Sequence, residues 1–121
     1  DVTHQMLSTR ARIDAFRALG NKAGAAVAAM LSFSERFDVA KYGSAGAPLH
    51  DPCVTAFVLD PTIFEGRMVN VEIETGSLLT RGMTVADYWG VTDRPKNAFW
   101  VRSGDADRFF ALLTERIGRL P

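Results

Sequence analysis

The chain has 121 residues, 47% of them hydrophobic, and its 14 basic and 14 acidic side chains cancel. That length suffices for one domain with its own core, and charges without a block of one sign argue against a nucleic-acid groove or an anionic membrane surface as partner. No apolar run approaches the ~18 residues needed to cross a bilayer, and the single cysteine, Cys53, reads as a reduced, buried thiol in a cytoplasmic protein.

Asp1-Val2-Thr3-His4-Gln5 has neither a basic n-region nor an apolar h-region and is not expected to be a signal peptide. It reads as the tail of a strand running into a helix cap, so the chain is expected to begin inside a larger α/β domain. His4 reads as structural. Ser8 or Thr9 is the expected N-cap of a first helix with Ile13, Phe16 and Leu19 on one face, closed by Gly20. Asn21 caps a longer helix, in which Ala23, Ala26, Val27, Met30, Phe33 and Phe37 recur at spacings of three and four. That stripe predicts Met30, Phe33 and Phe37 in the core. From Asp38 to Leu49 the pattern breaks, and Tyr42-Gly43-Ser44-Ala45-Gly46-Ala47-Pro48 reads as a small-residue loop. A lid over a substrate and an ordinary surface connection are equally compatible with it.

The chemistry concentrates in Pro48-Leu49-His50-Asp51-Pro52-Cys53, where one of two histidines stands beside an acid between prolines. Pro52 disfavours helical angles for Asp51 and suits the first helical position itself. Asp51 is therefore expected just outside a buried helix running to Leu59, with His50 ending the incoming loop. Asp60-Pro61 stops that helix. Residues 66–75 alternate, with Val69, Val71 and Ile73 on one face and Asn70, Glu72 and Glu74 on the other, which predicts a half-buried strand. Residues 83–87 are its expected antiparallel partner, residues 89–96 a loop, and residues 98–102 a third short strand. Ser103-Gly104-Asp105 then caps a closing helix with Phe109, Phe110, Leu113, Ile117 and Leu120 on its buried face. The expected organisation is four helices and a small antiparallel β-meander.

Four short stretches share their order and spacing with one family. They are Asp1-Val2-Thr3-His4-Gln5, Tyr42-Gly43 with Gly46-Ala47-Pro48-Leu49-His50-Asp51-Pro52-Cys53, Thr80-Arg81-Gly82-Met83-Thr84-Val85, and Asp105-Ala106-Asp107-Arg108-Phe109. In these the chain resembles the C-terminal part of the inosine–uridine-preferring nucleoside hydrolases, over essentially its whole length. The resemblance implies an open, mostly parallel α/β sheet domain, of which residues 1–121 form a single segment. It implies hydrolysis of the N-glycosidic bond of a ribonucleoside, with a Ca²⁺ ion holding the attacking water, and assembly as a dimer or tetramer. Carried onto this sequence, Asp51 is an expected calcium ligand, and His50 the general acid beside the departing base. Tyr42 is an aromatic that closes over the base.

The chemistry is consistent with those roles. Ca²⁺ prefers hard oxygen ligands, and a leaving base that gathers negative charge is helped by a donor such as histidine. The family's aspartate cluster, of the form Asp-x-Asp-Pro-Gly-x-Asp-Asp, has no counterpart in these residues. The expectation is thus a hydrolase as a full-length protein, with the 121 residues inactive by themselves. A non-catalytic binding or assembly module, or a His50–Asp51 site for another metal, stays open as an alternative.

Overall fold

The computed structural model describes residues 2–121. It divides into two compact units, one made of residues 1–64 and 103–121, the other of residues 65–102.

The first unit holds all four expected helices. The N-terminal stretch is not a strand tail: Val2–Gln5 is a 3₁₀ turn, closed by Met6 N–H donating to the Thr3 carbonyl at 3.1 Å. Asp1, part of that expectation, lies outside the described residues. The strand comes two residues later as β1 (Leu7–Ser8), paired antiparallel with β2 (Ala47–Pro48) in the register Leu7↔Pro48 and Ser8↔Ala47. Between them run α1 (Arg10–Arg17), entered from Thr9, and α2 (Lys22–Tyr42), whose Asn21 cap accepts a hydrogen bond from Gly24 N–H at 2.8 Å. Next come α3 (Asp51–Leu59) and, after the strands of the second unit, α4 (Ala106–Gly118). The Asp105 carboxylate caps α4 by accepting from the N–H groups of Asp107 and Arg108, both at 3.0 Å, as its sequence position predicts.

The core of this unit is aromatic. Phe16 and Phe109 are fully buried with Met6 and Ile13, and Phe109 meets Phe110 and Phe64 edge-on at 5.1 and 6.4 Å between ring centroids. Arg12 ties α1 to the rest of the unit. Its guanidinium donates to the Leu7 carbonyl at 2.8 Å, pairs with Asp107 at 2.7 Å, and lies 4.3 Å from the Phe110 ring centre.

Four expectations fail here. The long helix does not end near Phe37 but runs on to Tyr42, where Gly43 stops it at φ +64°, a conformation that favours glycine. Met30, Phe33 and Phe37 are not core, being 62%, 72% and 60% exposed. The face of α2 that packs carries Gly24 and Ala28, small enough for the helix to come close to α1, and Glu35, which pairs with Arg10 at 3.0 Å. Spacing of three and four marks a stripe, and does not say what covers it. Likewise α3 buries only Cys53 and Ala56 fully, with Val54, Val58 and Leu59 exposed. Leu120, expected on the buried face of the closing helix, is exposed beyond its end.

The second unit is built on three strands, β3 (Phe64–Ile73), β4 (Thr84–Asp87) and β5 (Ala98–Gly104). β4 pairs antiparallel with β3 in the register Asn70↔Asp87 to Ile73↔Thr84. The sheet order is β4-β3-β5, so the first strand lies in the middle rather than at the edge of a consecutive meander. Strict alternation along β3 also fails. Asn70 is as buried as Val69, because its side-chain amide donates to the Pro95 carbonyl at 2.9 Å, while Ile73 is exposed. The loop after β4 is folded around Asp87, whose carboxylate accepts from Val91 N–H at 2.9 Å, Thr92 N–H at 2.8 Å and the Thr92 hydroxyl at 2.7 Å. Those donors pull its pKa from 3.8 to about 2. Among the described residues no helix is long and apolar enough to cross a membrane.

Two outcomes follow. A Cβ built on Gly46 would lie 2.6 Å from the Ser8 carbonyl oxygen, so Gly46→Ala should cost about 1–3 kcal/mol by overpacking, read as a lower midpoint in urea denaturation. The Asp87 carboxylate is favoured in the folded state, so its contribution is complete above about pH 4 and fades as the pH falls towards 2. Amide-exchange protection at Val91 and Thr92 should drop across that window, and Asp87→Asn should remove the pH dependence.

A candidate active site at the start of the third helix

The short β1–β2 ladder brings the N-terminal turn alongside the loop that enters α3. The Ser8 hydroxyl, fully buried, donates to the Ala47 carbonyl at 2.9 Å, and Leu49 N–H donates to the Met6 carbonyl at 3.0 Å. Gly46 fits beneath the Ser8 carbonyl only because it lacks a side chain. The Ser44 hydroxyl closes the loop onto the Gly46 carbonyl at 2.9 Å. Each successive residue from Gly46 to His50 is thus referenced to backbone or side chains of residues 3–8.

His50 occupies the N-cap position of α3 with helical backbone angles, φ −83° and ψ −68°, and its side chain makes no capping bond. Its carbonyl instead accepts from Cys53 N–H at 3.1 Å. The helix begins at Asp51, one residue earlier than expected. Pro52 falls within the first turn, where a missing N–H costs nothing, and the restriction it places on the preceding residue is a bias rather than a bar. Asp51 therefore sits in the first turn instead of just outside it. A carboxylate there is favoured by the exposed N–H groups at the helix mouth. It is solvent-exposed and makes no hydrogen bond or ion pair with a described residue.

The His50 ring turns away from its own helix. Its Nδ1 lies 2.7 Å from the Thr3 hydroxyl oxygen, and its ring meets that of His4 at 5.6 Å between centroids, tilted by 59°. His4, expected to be structural, thus stands in the candidate site, and both histidines of the chain share one place. Thr3 and His4 were missed because nothing in the local sequence links them to a loop more than forty positions away. Their only signal was that they belong to one of the four stretches of the resemblance.

Tyr42 is placed differently. It closes α2 and is 64% exposed. Its neighbours are Phe37, edge-on at 6.4 Å, and the Lys41 ammonium, 5.0 Å from its ring centre. No ring contact or hydrogen bond joins it to His50 among the described residues. The structure brings together His50, Asp51, Thr3 and His4, and leaves Tyr42 on a neighbouring helix end.

Cys53 follows one turn into α3. It is buried, its Sγ donates to the Leu49 carbonyl at 3.0 Å, and burial pushes its thiol pKa up. It is an inert packing residue rather than a nucleophile. The donor chemistry of Asp51 suits a hard cation, but Ca²⁺ takes six to eight oxygens. No group of three or more His, Cys, Asp or Glu side chains among the described residues is arranged to hold a metal. The fit is therefore one ligand deep, and these residues do not build a calcium site by themselves.

The chain is 46% identical, over all 121 residues, to an uncharacterized protein of Schizosaccharomyces pombe, of which it covers 39%. It is 42% identical over 118 residues to the pyrimidine-specific ribonucleoside hydrolase RihA of Salmonella gallinarum, covering 97% of this chain and 38% of that one. Its fold is similar to that of the purine-preferring ribonucleoside hydrolase from Gardnerella vaginalis, with a TM-score of 0.79 and 30% identity over 97% of this chain and 37% of that one. The chain thus spans about two-fifths of the length of the curated relatives it matches. The family profile of the inosine-uridine preferring nucleoside hydrolases matches residues 1–111, and the chain belongs to that family.

Proposed function

We propose that the full-length protein is a ribonucleoside hydrolase, cleaving the N-glycosidic bond of purine or pyrimidine nucleosides to ribose and free base. The observation that carries this reading is the adjacent His50–Asp51 pair at the mouth of α3, with the His50 ring held by Thr3, in a chain of this family. His50 is the proton donor. As the bond from ribose C1′ to the base breaks, its electron pair leaves with the base, and a proton from the imidazole neutralises it. Water supplies the new oxygen on C1′ and gives up one proton to the solvent, from which the imidazole is recharged. Donation of this kind contributes about 10²–10⁴-fold.

Asp51 is assigned as one ligand of a Ca²⁺ ion, and its exposed, unpaired carboxylate supports the assignment. When bound, such an ion holds the attacking water and eases its deprotonation. Tyr42, exposed at the end of α2, is assigned as the aromatic that covers the base. The relatives named above differ in base preference, one pyrimidine-specific and one purine-preferring, so the substrate class is ribonucleosides in general. A dimer or tetramer of the full-length enzyme belongs to the same reading. A free, buried cysteine agrees with a cytoplasmic role in nucleoside salvage.

Ribose release from inosine and uridine by the full-length protein tests this directly. Turnover should require Ca²⁺ and stop with a chelator, and His50→Ala should lower kcat by about 10²–10⁴-fold. Full-length protein that is folded, calcium-loaded and without turnover would leave the non-catalytic module as the reading. The 121 residues alone, with one carboxylate assigned to calcium, should release no ribose in the same assay, and clear turnover by them would contradict the ligand assignment.

A further inference from the structure

We propose that Thr3 is the positioning residue for His50, its hydroxyl holding Nδ1 so that Nε2 is the nitrogen that delivers the proton to the departing base. The inference rests on the reading of His50 as proton donor and says what aims it.

The geometry is specific. The Thr3 Oγ1 to His50 Nδ1 distance of 2.7 Å spans 47 positions of sequence, and it lies in the range of a good hydrogen bond. The two ring nitrogens of a histidine have distinct roles, and the partner of one sets the task of the other. With Nδ1 engaged, a half-turn of the ring would place carbon against the hydroxyl and lose the bond. The His4 ring lies 5.6 Å from that of His50, tilted by 59°. Thr3 is itself anchored, because its carbonyl accepts from Met6 N–H at 3.1 Å and the β1–β2 ladder follows immediately.

A hydroxyl suits this task chemically. It accepts as well as donates, so the charged imidazolium can place its Nδ1–H on Thr3 Oγ1. When the Nε2–H bond breaks and the proton passes to the base, Nδ1–H stays on the neutral ring and the hydrogen bond to Thr3 persists. A carboxylate in the same position would hold the imidazolium by charge and oppose that release. Thr3 orients the acid without strengthening its grip on the proton.

The test uses the full-length protein with Thr3→Val, which keeps the shape and removes the hydroxyl, and Thr3→Ser, which restores it. Two substrates separate aim from folding: uridine, whose base needs a proton to leave, and 4-nitrophenyl riboside, whose phenolate leaves without one. Thr3→Val should lower kcat on uridine about tenfold, the order of one lost hydrogen bond, with KM little changed and the aryl riboside unaffected. Thr3→Ser should recover uridine turnover. Equal losses on both substrates, or no loss on either, would overturn the proposal. The ¹⁵N resonance of His50 Nδ1 gives a readout besides activity: Thr3→Val should shift it and Thr3→Ser should return it. A wild type that cleaves neither substrate overturns the hydrolase reading, whereas an Nδ1 resonance unmoved in Thr3→Val overturns the positioning contact on its own.

Discussion

The contact between residues 3–8 and 46–50 is the constraint on which the candidate site depends. It combines a two-residue antiparallel ladder, the buried Ser8 hydroxyl on the Ala47 carbonyl, the Leu49 amide on the Met6 carbonyl and the Thr3 hydroxyl on His50. Hydrogen bonds of this kind contribute about 0.5–1.5 kcal/mol each. Their larger effect is geometric, since they order a glycine-containing loop that would otherwise sample many conformations. Without them nothing in the local sequence of residues 43–49 would aim the imidazole. The start of α3 then fixes Asp51 one residue further on. A loop, a turn and a helix mouth together mount two chemically different groups side by side.

That lacing in turn depends on the aromatic packing of its own unit. Met6, between Thr3 and the β1 strand, is fully buried with Ile13, Phe16 and Phe109, so the N-terminal turn is pinned by its own side chain. Arg12 reinforces it through the Leu7 carbonyl while pairing with Asp107 at the start of α4. The site is therefore supported by residues from both ends of the sequence. None of the supporting side chains would attract notice as a functional residue.

Much of the architecture was legible in the sequence. Four helices, the caps at Asn21 and Asp105, and the antiparallel pairing of residues 84–87 on the strand before them were read from spacing and cap chemistry, both local signals. What failed was what depends on partners. Met30, Phe33 and Phe37 have the spacing of a core stripe and lie exposed, because periodicity reports a helix face and not its cover. Asn70 is buried through a bond to Pro95, which alternation along a strand cannot foresee. In the candidate site, His50 and Asp51 were visible as a dense, proline-framed pair. Thr3 and His4 were not, because their relation to that pair exists only after β1 meets β2. Tyr42 was expected in a loop and ends a helix, because Gly43 rather than Asp38 supplies the stop.

The chain belongs to the inosine-uridine preferring nucleoside hydrolases and spans about two-fifths of the length of the curated relatives it matches. On the proposed reading, one helix mouth supplies an acid and one hard ligand. Nothing among the described residues is arranged as the rest of a calcium cage. The central claim is that this mouth is one wall of a nucleoside-cleaving site. The most direct measurement is a crystal structure of the full-length protein with Ca²⁺ and an uncleavable nucleoside analogue. The account predicts an Asp51 oxygen on the ion, Thr3 still on His50 Nδ1, and His50 Nε2 facing a nitrogen of the base. An ion bound without Asp51, or a base lying away from the His50 ring, would contradict it.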